Sequence, residues 1–328
     1  MNKLPKLYPL KFAPILKEKV WGGTKLSEFL GKEGRGKNKY IGESWEISDL
    51  ENGTSVVCND SFKGQSLPSL IKRYKGTLVG EKVYKQFGDT FPLLFKFIDA
   101  YEDLSVQVHP GDVLAKKRHN SFGKTEVWYI INAEKDARLI LGFNTKMTEA
   151  GYLKKLSEGK ISDILHSETV QAGDAFFIAP GTIHAIGGGI LLAEIQQTSD
   201  ITYRIYDWDR PDINGEMRDL HTDLAKDAIN YKDVEPKIVY QDSTDEIIPL
   251  KSLQYFKTNK LNITETFTRN LAEIDSFTVY MCTQGEAILE TIAGSESIKK
   301  GETVLIPACF TSIKIKSTSV TLLETYIP

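Results

Sequence analysis

Short runs rich in valine, isoleucine and aromatic residues recur along this chain with turn residues between them: TSVVC (54–58), LLFKFIDA (93–100), LSVQVHP (104–110), TEVWYIINA (125–133), ARLILGF (137–143), AFFIAP (175–180) and ILLAEIQQ (190–197). Strands spaced by turns, without a helix after each one, do not fit a parallel βαβ sheet; they predict a mainly β fold of the sandwich or barrel type. Helical patterning interrupts the rhythm twice, near 66–87 and 148–167. A small helical insertion is therefore expected in the amino-terminal half.

The strand pattern also repeats. When Gly173 is set against Gly301, QAGDAFFIAPGTIHAI (171–186) aligns with KKGETVLIPACFTSIKI (299–315), placing Asp174 on Glu302, Phe177 on Leu305 and Ile178 on Ile306. Two strand-turn-strand units of one kind predict a duplicated sandwich. His184 falls on Ser312, and no histidine follows His221, so the second copy is expected to hold no imidazole-bound metal. A polar stretch at 224–246 reads as a linker, dividing the chain into a larger domain at 1–235 and a smaller one at 245–328. At 328 residues the chain is long enough for two cores.

Composition narrows the partners. A formal charge of -3 and the lack of a long lysine–arginine run give no footprint for a nucleic-acid backbone, while a small anionic substrate stays open. Three cysteines, Cys58, Cys282 and Cys309, without C-x-x-C spacing point to a reducing compartment. MNKLPKLYPLKF has no apolar signal core, and no run approaches 18 apolar residues. A cytoplasmic protein without a membrane span is expected.

The chemistry concentrates in the strands. In LSVQVHP the period of two sends Leu104, Val106 and Val108 to one face and Ser105, Gln107 and His109 to the other. In GKTEVWYII, Lys124, Glu126 and Trp128 share a face by the same rule. His184 follows the turn PGTI. Imidazole nitrogen and carboxylate oxygen are suitable zinc ligands, and a catalytic zinc site takes about three protein ligands with one position left open. His109, Glu126 and His184 fit that count, with Gln107 as a further oxygen donor. His119, His166 and His221 lie in polar stretches and read as surface residues, and DWDRPD (207–212) reads as a turn. Arg204, in SDITYRIYDWDR, sits among aromatic and β-branched neighbours. It is either a guanidinium placed to grip phosphate or polarise an oxygen, or a surface ion pair.

Taken together, PLLFKFIDAYEDLSVQVHP, GKTEVWYI, APGTIHAIGGGILLAEIQQTSD and the YR pair at 203–204 resemble the type I mannose-6-phosphate isomerases, zinc enzymes of the cupin superfamily, and their short bacterial branch most closely. The resemblance implies two cupin-type jelly rolls, one zinc ion per chain on Gln107, His109, Glu126 and His184, and an active-site arginine at Arg204. Lys96, Ser105, Lys124 and Asp200 match positions of the family's pocket, and Arg204 falls ten residues after Glu194. Long members continue their arginine segment to a T-P-K triplet that is missing here; Arg210 stands at the lysine's offset.

The implied reaction is the reversible isomerisation of mannose 6-phosphate and fructose 6-phosphate through a cis-enediol. Arg204 is expected beside the developing charge, and Lys124, Asp200, Glu194 and a zinc-bound water are the candidate proton handlers. Lys96, Ser105 and Arg210 are expected at the phosphate. A monomer or homodimer is expected. Two rivals use similar residues, a metal-dependent cupin dioxygenase and a non-catalytic sugar-phosphate-binding cupin; neither accounts for the ordered lysine, glutamate and arginine matches.

Overall fold

The computed structural model describes residues 5–32 and 40–328. The first four residues of the amino-terminal segment considered above lie outside it.

Two antiparallel sheets form the larger sandwich. The seven-stranded sheet runs in the order Lys237–Ile238, Ala175–Ile178, Glu126–Ala133, Ile190–Gln197, Leu93–Ala100, Ile41–Ile47 and Ile15–Gly23. The five-stranded sheet runs Leu165–Thr169, Arg138–Phe143, His184–Ile186, Val106–Val108 and Tyr203–Tyr206. Trp128, Ile98, Phe176 and Leu192 from the first share one apolar cluster with Leu139, Leu141 and Ile186 from the second. This places the core between the sheets.

The seven-stranded sheet is covered on both faces, which explains why LLFKFIDA and ILLAEIQQ are buried along their whole lengths. Alternation sorts their side chains. Phe95, Phe97, Ala193 and Ile195 face outward into a cluster with Leu70, Ile71, Leu78 and Val83, from helices Leu67–Tyr74, Gly76–Val79 and Glu81–Phe87. Lys96, Glu194 and Gln196 take the inward parity, alongside Ile98 and Leu192. Polar residues in two such apolar strands therefore point into the sandwich.

The predicted helix at 148–167 is shorter than expected. Glu149–Ser157 is helical, with Thr148 capping it through a hydrogen bond from Gly151 N, but Leu165–Thr169 pairs with Arg138–Phe143 as a strand. A helix not anticipated, Asp112–His119, follows the Val106–Val108 strand.

The far end of the chain builds an eight-stranded antiparallel sheet from strands between Ile247 and Tyr326, with Leu10–Lys11 added against Thr303–Ile306. One face encloses its own core of Leu261, Tyr280, Leu289, Ile313 and Leu322. Phe277, Val279, Met281, Leu305 and Leu323 pack instead into the cluster that covers the seven-stranded sheet. The stretch read as a linker is partly ordered into the fold, since Lys237–Ile238 is the edge strand beside Ala175–Ile178. No helix among the described residues is long and apolar enough to cross a membrane.

Candidate active site and metal centre

Three strands bring the expected ligands together, and a fourth sets Arg204 beside them. His184 pairs across the ladder with Gln107, Gln107 with Arg204, and Glu126 with Ile178 and Gln196. One ligand atom from each of His109, Glu126 and His184 lies within 4.8 Å of the others, and all three residues are buried. His109 Nε2 is 3.4 Å from Glu126 Oε1, and His184 Nε2 is 4.0 Å from Glu126 Oε2.

The ring orientations are fixed from behind. His109 Nδ1 lies 2.9 Å from the Ile201 carbonyl and His184 Nδ1 lies 2.9 Å from the Thr182 carbonyl. Since a carbonyl only accepts, each Nδ1 must carry the proton, and each neutral ring turns an Nε2 lone pair toward Glu126. His109 Nε2 and both Glu126 carboxylate oxygens have no hydrogen-bond partner among the described residues. Buried and unpaired, such atoms are costly. A divalent cation would satisfy all of them at once, so the donor set fits a nitrogen- and oxygen-liganded metal. The Gln107 amide reaches the same point, with its Nε2 3.3 Å from His184 Nε2; turning the amide over would present its oxygen.

Burial pushes the His184 imidazole down to about 4 and holds His109 well below the ordinary histidine value, with Lys124 adding to the effect. Burial, then the charge of Glu194, pushes the Glu126 carboxyl up to about 8. The site thus keeps its imidazoles neutral, as metal ligation requires.

Beside these ligands opens a polar cavity of about 300 Å³. Lys96, Ser105, Gln107 and Lys124 line it, as do Glu194, Asp200 and Arg204. Lys124 Nζ stands 3.6 Å from Glu126 Oε1. Burial and the neighbouring Lys96 depress its charge. Glu194 is committed on both oxygens, to Lys96 Nζ at 2.7 Å and Trp128 Nε1 at 2.9 Å. Burial opposes the charge on Lys96, but Glu194 and Glu43 outweigh it and hold the ammonium above the ordinary lysine value. Asp200 is exposed at the rim, with Asn52 Nδ2 3.4 Å from its Oδ2. A larger cavity of about 790 Å³ near Tyr74, Tyr84 and Phe310 contains none of these residues, so size does not locate the site.

Two sequence expectations change. Leu104 lines the cavity beside Ser105 rather than facing away, because the strand begins only at Val106 and alternation does not reach back to it. Arg210 does not line the cavity. The turn through Trp208 and Asp209, both at positive φ, directs it to Glu102 Oε2 at 3.0 Å and the Asp103 carbonyl. Arg218 lines the cavity, its guanidinium clamped on the buried Asp207. His221, read as a surface residue, accepts a hydrogen bond from Arg204 N at Nδ1 and donates its own backbone N–H to the Arg204 carbonyl. Neither residue had a strand period to reveal it. Lys19, Trp21 and Glu43 on the outer strands also line the cavity. The alternation of Lys19 and Trp21 was their available signal.

Residues 9–137 match the family model for the phosphomannose isomerase type I catalytic domain, and residues 247–327 match that for the mannose-6-phosphate isomerase cupin domain. The chain is 36% identical over 303 residues to mannose-6-phosphate isomerase ManA of Bacillus subtilis, covering 91% of this chain and 93% of that protein. It is 38% identical over 221 residues to a mannose-6-phosphate isomerase of Streptococcus mutans, 67% of each. Its structure is similar to the crystal structure of a B. subtilis mannose 6-phosphate isomerase, with a TM-score of 0.88 and 32% identity over 97% of this chain and 99% of the other.

Proposed function

Because this chain belongs to the type I phosphomannose isomerases, we propose that it interconverts mannose 6-phosphate and fructose 6-phosphate by proton transfer through a cis-enediol, with zinc held by His109, Glu126, His184 and Gln107. The observation that carries the site assignment is the buried convergence of unpaired His109 Nε2 and Glu126 oxygens beside a cavity lined by Lys96, Lys124, Arg204 and Arg218.

Bound there, zinc supplies Lewis acidity toward the sugar oxygens. The chain supplies the rest. A proton must leave C2 and another must reach C1, while the two sugar oxygens exchange theirs. Lys124 Nζ and the Asp200 carboxylate face the cavity with few competing partners and are the groups we assign to this traffic. Glu194, tied on both oxygens, orients rather than exchanges. Arg204 is held by its Nη1 donating to the Asp219 carbonyl at 2.8 Å, which fixes a cation where enediolate charge develops. We place the phosphate against Lys96, Ser105 and Arg218, with Arg210 bracing Asp207 from behind.

We further assign the metal to the 1–235 domain alone, leaving 245–328 metal-free, and place the protein in the cytoplasm as a monomer or homodimer. A coupled assay for fructose 6-phosphate tests the activity. Turnover should vanish on chelation and return with zinc. Oxygen uptake in place of isomerisation, or hexose-phosphate binding without turnover, would overturn the reading.

A further inference from the structure

A row of side chains across the seven-stranded sheet has a counterpart in the eight-stranded sheet. The Gly173–Gly301 alignment sets Phe176 on Val304, and from there each ladder can be followed strand by strand. Phe176 pairs with Trp128, Trp128 with Glu194, and Glu194 with Lys96. Val304 pairs with Tyr280, Tyr280 with Glu324, and Glu324 with Asn259.

The hydrogen bonds correspond as well. Trp128 Nε1 donates to Glu194 Oε2 at 2.9 Å, and Tyr280 OH donates to Glu324 Oε1 at 2.8 Å. On the other oxygen, Lys96 Nζ donates to Glu194 at 2.7 Å and Asn259 Nδ2 donates to Glu324 at 2.7 Å. The rows diverge at the charge. Glu324, fully buried, takes its counter-ion from the partly buried Arg269, Nε at 2.8 Å. There Thr278 pairs with Ile306 as Glu126 pairs with Ile178, so the carboxylate ligand position is a threonine. In the first row the counter-ion is Lys96 itself, which lines the cavity.

The aromatic donor on a carboxylate is common to both rows; the ammonium facing a cavity belongs only to the first. We infer that Trp128 is a positioning residue, whose indole N–H locks Glu194 so that Glu194 aims the Lys96 ammonium at the substrate. Lysine has three N–H donors. Glu194 and Gln196 take two, Gln196 Oε1 at 2.8 Å, which leaves one for a sugar-phosphate oxygen. Without the indole bond the Glu194 carboxylate is free to turn, because its terminal torsion is broad, and Lys96 follows it. The indole ring also meets His184 edge-on, with centroids 5.4 Å apart. Trp128→Phe keeps a ring there and removes only the donor.

This inference rests on the isomerase reading and deepens it. The test is a double-mutant cycle in full-length, zinc-loaded protein with Trp128→Phe, Lys96→Met and both together. Binding is read by calorimetry with 1,5-anhydromannitol 6-phosphate, which has no carbonyl to isomerise, and KM is read alongside. Trp128→Phe should weaken binding about tenfold, the scale of one hydrogen bond to a charged group, with metal content unchanged. It should add nothing in the Lys96→Met background. Wild-type affinity in Trp128→Phe, or losses that add in full, would overturn the role. Should Trp128→Phe fail to fold, Glu194→Gln takes its place in the cycle, with the same expected non-additivity. Absence of turnover in the wild type would defeat the isomerase reading alone, because the cycle reads binding.

Discussion

His109 and His184 each give one ring nitrogen to a backbone carbonyl, which decides what the other can do. Replacing His184 with alanine should sharply lower metal retained after dialysis, since one of few ligand bonds is lost; undiminished stoichiometry would reject the site. The same imidazole sets a pH dependence. At about 4 in the fold against 6.5 for an ordinary histidine, it binds fewer protons folded than unfolded. Above pH 6.5 it therefore has no effect on stability, and as pH falls from 6.5 toward 4 it destabilises the metal-stripped protein, on the order of 3 kcal/mol by the lower limit. Glu126, pushed up to about 8, pulls the other way over the same range. The imidazole's share is therefore the difference in denaturant midpoint between the metal-stripped wild type and His184→Ala. The wild type should lose stability relative to the variant from pH 7 to 4.5; a difference that does not move with pH would contradict a buried neutral ring. At Arg204, alanine should cut kcat by about a hundredfold with metal content intact, and a change confined to KM would make it a binding residue only. Residues on strands, or directly after one as His109 is, were legible because a period of two gives direction, as at Gln107, Glu126 and Trp128. Arg218 and His221 were not, because the loop between Asp207 and His221 has no period that tells where a side chain points.

Among the elements, the turn before His184 carries the most consequence for the site. Gly181 sits at φ +87°, and an added Cβ would lie 2.8 Å from the Ala228 carbonyl. Gly181→Ala should destabilise the fold by about 1–3 kcal/mol and loosen the metal, because His184 enters its strand three residues later; thermal melts and metal titration would show both, and an unchanged affinity would uncouple turn from ligand. The strands Leu93–Ala100 and Ile190–Gln197 were readable as apolar runs, although what buries them on the outer face was not. The Asp112–His119 helix was invisible for a clear reason: of DVLAKKRH only Ala115 is buried, so no apolar stripe marks it. Tertiary bonds hold it instead, with Asp112 accepting from Gly123 N, Gln197 Nε2 and Tyr255 OH. Leu165–Thr169 misled in the opposite sense, since its neighbour Arg138–Phe143, distant in sequence, makes it a strand.

At the scale of the whole molecule, the eight-stranded sheet contributes no candidate ligand yet covers apolar surface. Removing residues 245–328 should uncover Phe91, Leu78 and Val79, which meet Phe277 and Ala308, and yield aggregates by size-exclusion chromatography; a soluble, active fragment would show that the cover is dispensable. Ser312, exposed at the start of its strand and paired with Asn270, should tolerate alanine with kcat and zinc content within about twofold. The covering sheet is also closed by the other end of the chain. Leu10 and Lys11 pair with Leu305 and Val304, and Lys11 bonds Glu302 across 291 residues of sequence. On a ribosome Leu10–Lys11 is made long before Thr303–Ile306. While everything between them is synthesised this edge has no ladder to join, so its closure comes late, and its rate should carry the entropy of a very long loop.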